Sequence, residues 1–238
     1  MANFSRFYEG NLVDLAVVLA FDPGETTGWC AMGIDRSALL GADTPTDTIQ
    51  SRLVLCEYGE IDCSATAAIG GIPDSVNRHA GLNLMGENFG VSRMMDMIYR
   101  WPNCTVVIED FILDMKRADQ ARHTLSPVRI TSALSYAMYA SGHNSNQIIV
   151  QNRSMAKTTC TDERLKNWGL YDRRSGSHAR DAVRHAFYLL RTCRGSGAEV
   201  DQRRHIVFPQ LFEDSIFKNF KTKPNRQKNL GERIPHLG

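Results

Sequence analysis

The distribution of apolar residues divides the chain into a first part rich in strands and a second part in which strands alternate with helices. Three apolar or partly apolar runs come first and predict strands, two of them joined by a tight Pro-Gly turn. Apolar residues at helical spacing then predict three helices, separated by short β-branched runs typical of buried strands. The predicted order is β-β-β-α-β-α-β-α, with strands over 13–21, 28–34, 51–60, 105–108 and 147–150 and helices over 82–100, 126–141 and 178–193.

Three consecutive strands followed by alternation predict an α/β fold. We expect a mixed five-stranded sheet that contains one antiparallel hairpin and carries helices on both faces. The chain has 238 residues, of which 42% are hydrophobic and 23% charged, and these are values of a globular protein. We expect one domain over 1–195, and over 196–238 a segment docked around 206–217 and a basic, flexible tail from about Lys218.

Cysteine usage and hydropathy argue against a secreted or membrane protein. No apolar run approaches the length that spans a bilayer, and residues 1–10 lack the apolar core of a signal peptide. The six cysteines are scattered and form no CxxC pair, which indicates reduced thiols rather than a zinc site or a disulfide framework. We therefore expect a cytoplasmic protein with no membrane partner.

Charge is distributed unevenly, although the formal net charge is only +2. Residues 151–195 hold ten Lys and Arg against four Asp and Glu, and residues 218–238 hold six against one, so the rest of the chain is acidic. A basic C-terminal third on an acidic body favours a polyanionic partner such as nucleic acid. The candidate phosphate contacts are Arg153, Lys157, Lys166, Arg173 and Arg174.

Two carboxylates are predicted to meet at one edge of the sheet. Asp22 ends the first apolar run and Pro23-Gly24 turns the chain directly after it. Glu109 and Asp110 follow the short strand over 105–108. If this strand is a parallel neighbour of the first, Glu109 comes to lie beside Asp22, and Asp110 then points to the opposite face.

The last helix carries a polar row along the border of its apolar stripe. His178, Asp181 and His185 recur at i, i+3 and i+7, and Ser177 is a candidate N-cap. We interpret His178 and Asp181, in the first turn, as functional, and His185 as a structural histidine. Three arginines are predicted on the opposite, solvent side of the helix: Arg180, Arg184 and Arg191.

Asp22, Glu109, His178 and Asp181 form a candidate set of catalytic metal ligands. Carboxylate oxygens suit Mg²⁺, and an added imidazole leans towards Mn²⁺. Two such ions per site can activate water on one side of a phosphodiester and stabilise the leaving oxygen on the other. The pattern therefore predicts metal-dependent hydrolysis of nucleic acid.

Together, these motifs resemble the RuvC-like Holliday junction resolvases of the RNase H-like superfamily, notably the versions carried by bacteriophages. The segment Asp22-Pro23-Gly24-Glu25-Thr26-Thr27-Gly28 resembles the first-strand motif of that family, Glu109 its fourth-strand glutamate, and His178-Ala179-Arg180-Asp181-Ala182 its last-helix motif. The resemblance implies an RNase H-like fold, the four ligands above and a homodimer acting on branched DNA, in the cytoplasm of a bacterial host if a phage encodes it. The lysine-rich DNA-contacting segment of the family is only approximated here, around Lys157, Lys166 and residues 171–174.

Other readings of the sequence remain open. Within enzymes, the alternative is a less structure-specific RNase H-like or flap endonuclease, and outside them a non-catalytic nucleic-acid-binding relative. The turn after Asp22 also resembles the phosphate loop of sugar kinases and actin-like ATPases, but the chain is short for that architecture and lacks its second loop. The candidate dimer interface is the helix over 82–100, which is equally readable as a core helix and carries Met85, Met94, Met95, Met97 and Tyr99.

Overall fold

The computed structural model describes residues 4–5, 14–41, 44, 47–64, 84–101, 103–111, 125–143 and 148–212. Its strands are β1 (Phe4–Ser5), β2 (Leu15–Asp22), β3 (Thr26–Asp35), β4 (Leu53–Asp62), β5 (Thr105–Glu109) and β6 (Ile148–Gln151). Its helices are α1 (Arg36–Leu40), α2 (Leu84–Arg100), α3 (Ser126–Ala140), α4 (Arg153–Thr159), α5 (Asp162–Asn167), α6 (Ser177–Thr192) and α7 (Ala198–Val207), with a 3₁₀ turn at Ile49–Arg52.

The strands form one mixed sheet in the order β1-β4-β3-β2-β5-β6. The hairpin β2–β3 and its extension to β4 are antiparallel, whereas β5 runs parallel to β2 and β6 parallel to β5. This arrangement confirms the predicted α/β fold with a mixed five-stranded sheet. The two-residue strand β1 adds a sixth, edge position by pairing Phe4 with Cys56 and Ser5 with Leu55.

Helices cover both faces of the sheet, so the central strand β2 is buried along its whole length. Alternate residues of β2 point to opposite faces, with Val18 in the core beneath α6 and Leu19 in the core beneath α2 and α3. This two-sided burial explains why β2 reads as a continuous apolar run rather than as an alternating one. None of the helices in the described part of the chain combines the length and hydrophobicity that crossing a bilayer requires.

Helix α6 lies unusually close to strand β3. A Cβ atom added to Gly28 would come within 2.0 Å of the carbonyl oxygen of His178, so only glycine permits this approach. Because His178 and Asp181 lie in the first turn of α6, the contact at Gly28 sets how far their side chains stand from the end of β2. The glycine that closes the first sequence motif therefore sets the position of α6 against the sheet.

The segment after α6 packs against the core beneath that helix up to the last described residue, Phe212. Phe208, Leu211 and Phe212 are buried in the core beneath α6. Arg204 is also buried, and its guanidinium donates to the carbonyl oxygens of Leu39 (3.0 Å), Cys193 (3.1 Å) and Gly195 (2.7 Å). The predicted flexible tail from Lys218, the end of the docked segment and the predicted irregular stretch over 65–81 lie outside the described residues.

Several short helices escaped the sequence prediction because they have too few residues to show an apolar period. Helix α1 occupies part of the predicted loop over 35–50, and α4 and α5 occupy the stretch between β6 and α6. Each of the three begins at a capping side chain, supplied by Asp35, Asn152 and Thr161. At α6 the predicted N-cap was wrong by one position, because Gly176 is the cap and Ser177 the first helical residue.

Candidate metal centre

The three predicted carboxylates converge at one point. Strands β2 and β5 are parallel with Phe21 opposite Ile108, so the residues that follow, Asp22 and Glu109, emerge side by side. The first turn of α6 brings Asp181 to the same place. One carboxylate oxygen from each of the three side chains lies within 4.8 Å of the other two.

Burial and mutual repulsion raise the pKa of Asp22. The residue is only 8% exposed, and loss of solvent is the largest cause of the shift. The nearby charges of Glu109 and Asp181 raise the pKa further, while the hydrogen bond from His178 lowers it. A nearby cation would stabilise the ionised form of a carboxylate whose pKa is raised in this way. The electrostatics of the site therefore favour the binding of positive charge.

His178 acts on the cluster through Asp22. Its Nδ1 lies 2.8 Å from the Oδ2 atom of Asp22, and this hydrogen bond is the largest cause of the raised pKa of His178. The side chain of His178 remains 45% exposed, so the ring is accessible from outside the protein. The described structure thus brings three of the four predicted ligands together, and the fourth, His178, is hydrogen-bonded to Asp22. The role of His178 as a metal ligand stays a prediction.

His185 lies deeper, between two side chains from neighbouring strands. Its Nε2 is 2.9 Å from the Oε2 atom of Glu109, and its Nδ1 is 2.9 Å from the Oε1 atom of Gln151. The residue is fully buried, as expected of a structural histidine, but it also contacts a predicted metal ligand. Sequence periodicity placed His185 on the correct edge of α6 and gave no sign of its partners.

Basic side chains surround the carboxylates. From α4, Lys157 places its Nζ 2.7 Å from Asp181, and Arg153 places its Nε 3.3 Å from Glu109. Arg184 bridges Asp181 and Asp162. The side chain of Arg184 is only 11% exposed, which corrects its predicted position on the solvent side of the helix. The cause is the segment between α4 and α5, where the carbonyl oxygen of Cys160 accepts a hydrogen bond of 3.0 Å from Arg184, and Asp162 at the start of α5 pairs with the same guanidinium.

The other predicted DNA contacts lie on the surface beyond the cluster. Arg173 and Arg174 are exposed, and Lys166 places its ammonium group 5.0 Å from the ring centroid of Tyr171. Arg174 lines a cleft of about 300 Å³ beside the start of α6, together with Asp172. The assignment of these three residues, and of Arg153 and Lys157, as DNA contacts stays a prediction.

Glu60, from the end of β4, is a site residue that the sequence did not reveal. Its Oε1 accepts a hydrogen bond of 3.4 Å from the backbone N–H of Ala179 at the start of α6. A Cβ on Gly176 would come within 1.8 Å of the same oxygen, so this glycine makes room for the carboxylate. A negative charge at the positive end of the helix dipole stabilises the first turn of α6, which carries His178.

The donor set fits a hard divalent cation. Three carboxylates supply oxygen atoms within reach of one another, and Asp22 and Asp181 are anchored on a strand and a helix. Oxygen ligands of this kind suit Mg²⁺ or Mn²⁺ rather than a soft metal. Asp22, Glu109 and Asp181 are therefore the residues that would hold the ion.

The chain has recognisable neighbours among solved structures, although no protein-family model and no curated protein matches it significantly. It is similar to RuvC of Thermus thermophilus, in a structure of that protein and in one of its complex with a Holliday junction substrate. Each comparison gives 13% sequence identity and a TM-score of 0.48, and covers 74% of this chain and 94% of the RuvC chain. The phage-type qualifier of the resemblance stays a prediction.

Proposed function

We propose that this protein is a divalent-metal-dependent endonuclease that hydrolyses phosphodiesters in branched DNA, with Holliday junctions as its substrates. The observation that carries the proposal is the convergence of Asp22, Glu109 and Asp181 at the carboxyl ends of two parallel strands and the start of a helix. The three sequence motifs that supply these residues are those that resemble the RuvC-like resolvases.

The side chains of the cluster have distinct tasks in this proposal. Asp22, Glu109 and Asp181 bind the divalent cations, two per site. When bound, those cations supply the positive charge that activates a water molecule and stabilises the leaving oxygen. His178 orients Asp22 through its Nδ1 atom, and its accessible ring would be a further ligand for the cation or a contact for the substrate.

The basic side chains of α4 connect the cluster to DNA. Arg153 and Lys157 compensate the charge of Glu109 and Asp181 in the described structure. Cations that bind these carboxylates take over that compensation, and both side chains then become available for phosphates of the DNA backbone. Lys166, Arg173 and Arg174 extend the basic surface from there, which makes binding sensitive to salt.

Resolution of a four-way junction needs two cuts related by symmetry, and a two-fold homodimer meets that requirement. Helix α2, the predicted interface, is in part a core helix, because its own residues Met94 and Met95 are buried against the sheet. Its exposed apolar side chains are Met85, Phe89 and Tyr99. We assign the dimer contact to this exposed strip of α2.

A cleavage panel tests the proposal. Purified protein is incubated with labelled four-way junction, linear duplex, single strand and RNA/DNA hybrid, each with Mg²⁺, Mn²⁺ or EDTA. We expect cleavage of the junction with either metal and none in EDTA. Asp22→Asn should reduce the rate at least about a hundredfold, as loss of a transition-state electrostatic group does. Full activity in EDTA, or in the Asp22→Asn protein, would contradict the proposal.

The same panel separates the alternatives. Equal cleavage of junction and linear duplex would identify a less structure-specific endonuclease with the same metal site. Junction binding without cleavage under any metal would identify a non-catalytic nucleic-acid-binding relative.

A further inference from the structure

The buried side chain of His185 connects two elements that end at the metal cluster. Glu109 ends β5 and Gln151 ends β6, and the two residues are paired across the parallel strands. His185, two turns into α6, places one ring nitrogen 2.9 Å from each of their side chains. The three residues are 9%, 8% and 0% exposed, so water does not substitute for these hydrogen bonds.

Donor and acceptor roles follow from the chemistry of the three groups. An ionised carboxylate only accepts hydrogen bonds, so the contact with Glu109 requires a proton on Nε2 of His185. Nδ1 then either donates to the Gln151 oxygen, in a protonated ring, or accepts from the Gln151 NH₂ group, in a neutral ring. In both arrangements Nε2–H donates to Glu109.

We propose that His185, oriented by Gln151, is a positioning residue that fixes the carboxylate of Glu109 for metal binding. This rests on the metal site proposed above. The Nε2–H group holds the Oε2 atom of Glu109, which leaves Oε1, the atom that Arg153 contacts, directed to the open side of the cluster. Gln151 holds the Nδ1 atom of His185 through its own hydrogen bond, and this second contact keeps the imidazole ring from rotating away from Glu109.

The physical reason for such a device is the position of Glu109. It is the last residue of β5, where the strand no longer restrains it from both sides. A carboxylate that is free to rotate loses side-chain entropy on binding a metal, whereas one already held by a buried donor does not. Partners of this kind in metal sites change metal affinity by 10–100-fold when removed.

The first test reads the protonated nitrogen of His185 in the metal-free protein. A ¹H–¹⁵N correlation spectrum of the histidine rings, with the signal assigned through His185→Gln, reports on each ring nitrogen separately. We expect a protonated Nε2. A ring protonated only on Nδ1 would overturn the proposal, because Nε2 could not then donate to Glu109.

The second test measures Mn²⁺ affinity of the full chain by the electron paramagnetic resonance signal of the free ion. His185→Leu should weaken binding by about 10–100-fold. His185→Gln places an amide N–H where Nε2 was and should restore most of the affinity. Gln151→Met leaves the ring in place without its partner and should give an intermediate value. Val183→Ala, a core truncation on the same helix, controls for loss of stability and should bind Mn²⁺ as the natural chain does.

The outcomes separate this inference from the proposed function. Mn²⁺ binding by His185→Leu that equals the natural chain, or His185→Gln as weak as His185→Leu, overturns the positioning role while leaving the metal site intact. Failure of the natural chain to bind Mn²⁺ overturns the metal site, and the ring spectrum then still decides whether His185 holds Glu109.

Discussion

At the scale of single residues, Asp22 is buried at a cost to the stability of the fold. Burial raises its pKa, so the folded protein takes up a proton at Asp22 more readily than the unfolded chain does. The free energy of unfolding is therefore unaffected below the pKa of the unfolded chain, falls as pH rises from there through the raised pKa of the folded protein, and stays reduced above it. The positive charge of a protonated His178 opposes this cost, and that contribution is lost as pH rises through the raised pKa of His178.

Asp22→Asn should therefore stabilise the metal-free protein at about pH 8.5, well above the ordinary range of a histidine pKa. Thermal unfolding followed by circular dichroism in EDTA measures this as a higher Tm than that of the natural chain. The difference should shrink as pH falls and Asp22 becomes protonated. Asp110→Asn, at an exposed neighbouring carboxylate, is the control and should leave Tm unchanged. A lower Tm for Asp22→Asn at high pH would contradict this account.

The cysteines are also governed by burial. All six are buried thiols in the structure, and their reduced state in the cell stays a prediction. Loss of solvent raises the pKa of Cys104, Cys160 and Cys193 to about 12, so almost no thiolate exists near neutral pH. The native protein should react with Ellman's reagent far more slowly than the chain in concentrated guanidinium chloride, where all six thiols react. A thiol that reacts in the native state as fast as free cysteine would show that its segment opens.

At the scale of elements, α6 is held against the sheet at two places close to its functional residues. One is the approach of its backbone to Gly28, and the other is the contact of its N-terminus with Glu60. Neither contact is a large apolar surface, and both place backbone atoms of α6 rather than side chains. The helix can therefore be displaced from the cluster by a change that leaves every metal ligand in the chain.

Gly28→Ala should produce that displacement. The new methyl group would meet backbone atoms of His178 and Ala179 that cannot turn aside, so α6 must move. We expect a loss of about 1–3 kcal/mol or more in the free energy of unfolding, as for other overpacked sites, and loss of junction cleavage. Urea denaturation and the cleavage assay measure the two effects. Gly41→Ala, where the nearest atom lies at 3.5 Å, is the matched control and should preserve both; an active Gly28→Ala protein would refute the role of this contact.

The sequence predicted long elements well and their close contacts poorly. The strands around Asp22 and Glu109 were recognisable because buried central strands are uniformly apolar, and their parallel pairing then placed the two carboxylates together. Glu60 and Gln151 could not be found in this way, since each lies at a strand end and acts through a partner more than 30 residues away. Short helices such as α5 were missed too, and with them the covering of Arg184.

For the whole molecule, the excess of basic residues over 151–195 has a mixed origin. Some of that charge is structural, because Arg194 is 2% exposed on its side chain and bonds to Asp47, and Arg184 bridges two carboxylates. Other members, such as Arg173 and Arg174, are exposed. A count of charges along the chain does not distinguish these two groups, so it overstates the surface available to DNA.

The proposed homodimer gives a prediction at this scale. Phe89→Glu places a charge on the exposed strip of α2 and should convert a dimer to a monomer, because a buried unpaired charge destabilises an interface. Multi-angle light scattering measures the mass. Ile206→Glu, at an exposed apolar residue of α7 on the other side of the sheet, is the control and should remain dimeric. A natural chain that is monomeric even on junction DNA would exclude the dimer.

The ring of basic side chains around the carboxylates has a consequence for how the protein matures in a cell. Arg153, Lys157 and Arg184 lie against the carboxylates that would hold a metal, so, under the proposed function, the charges of Glu109 and Asp181 would be compensated before an ion binds. This differs from small zinc domains, which remain unfolded until they are loaded. Under the proposed function, newly made molecules would fold into an inactive form, and the supply of metal and DNA, rather than synthesis, would set the moment at which cutting begins.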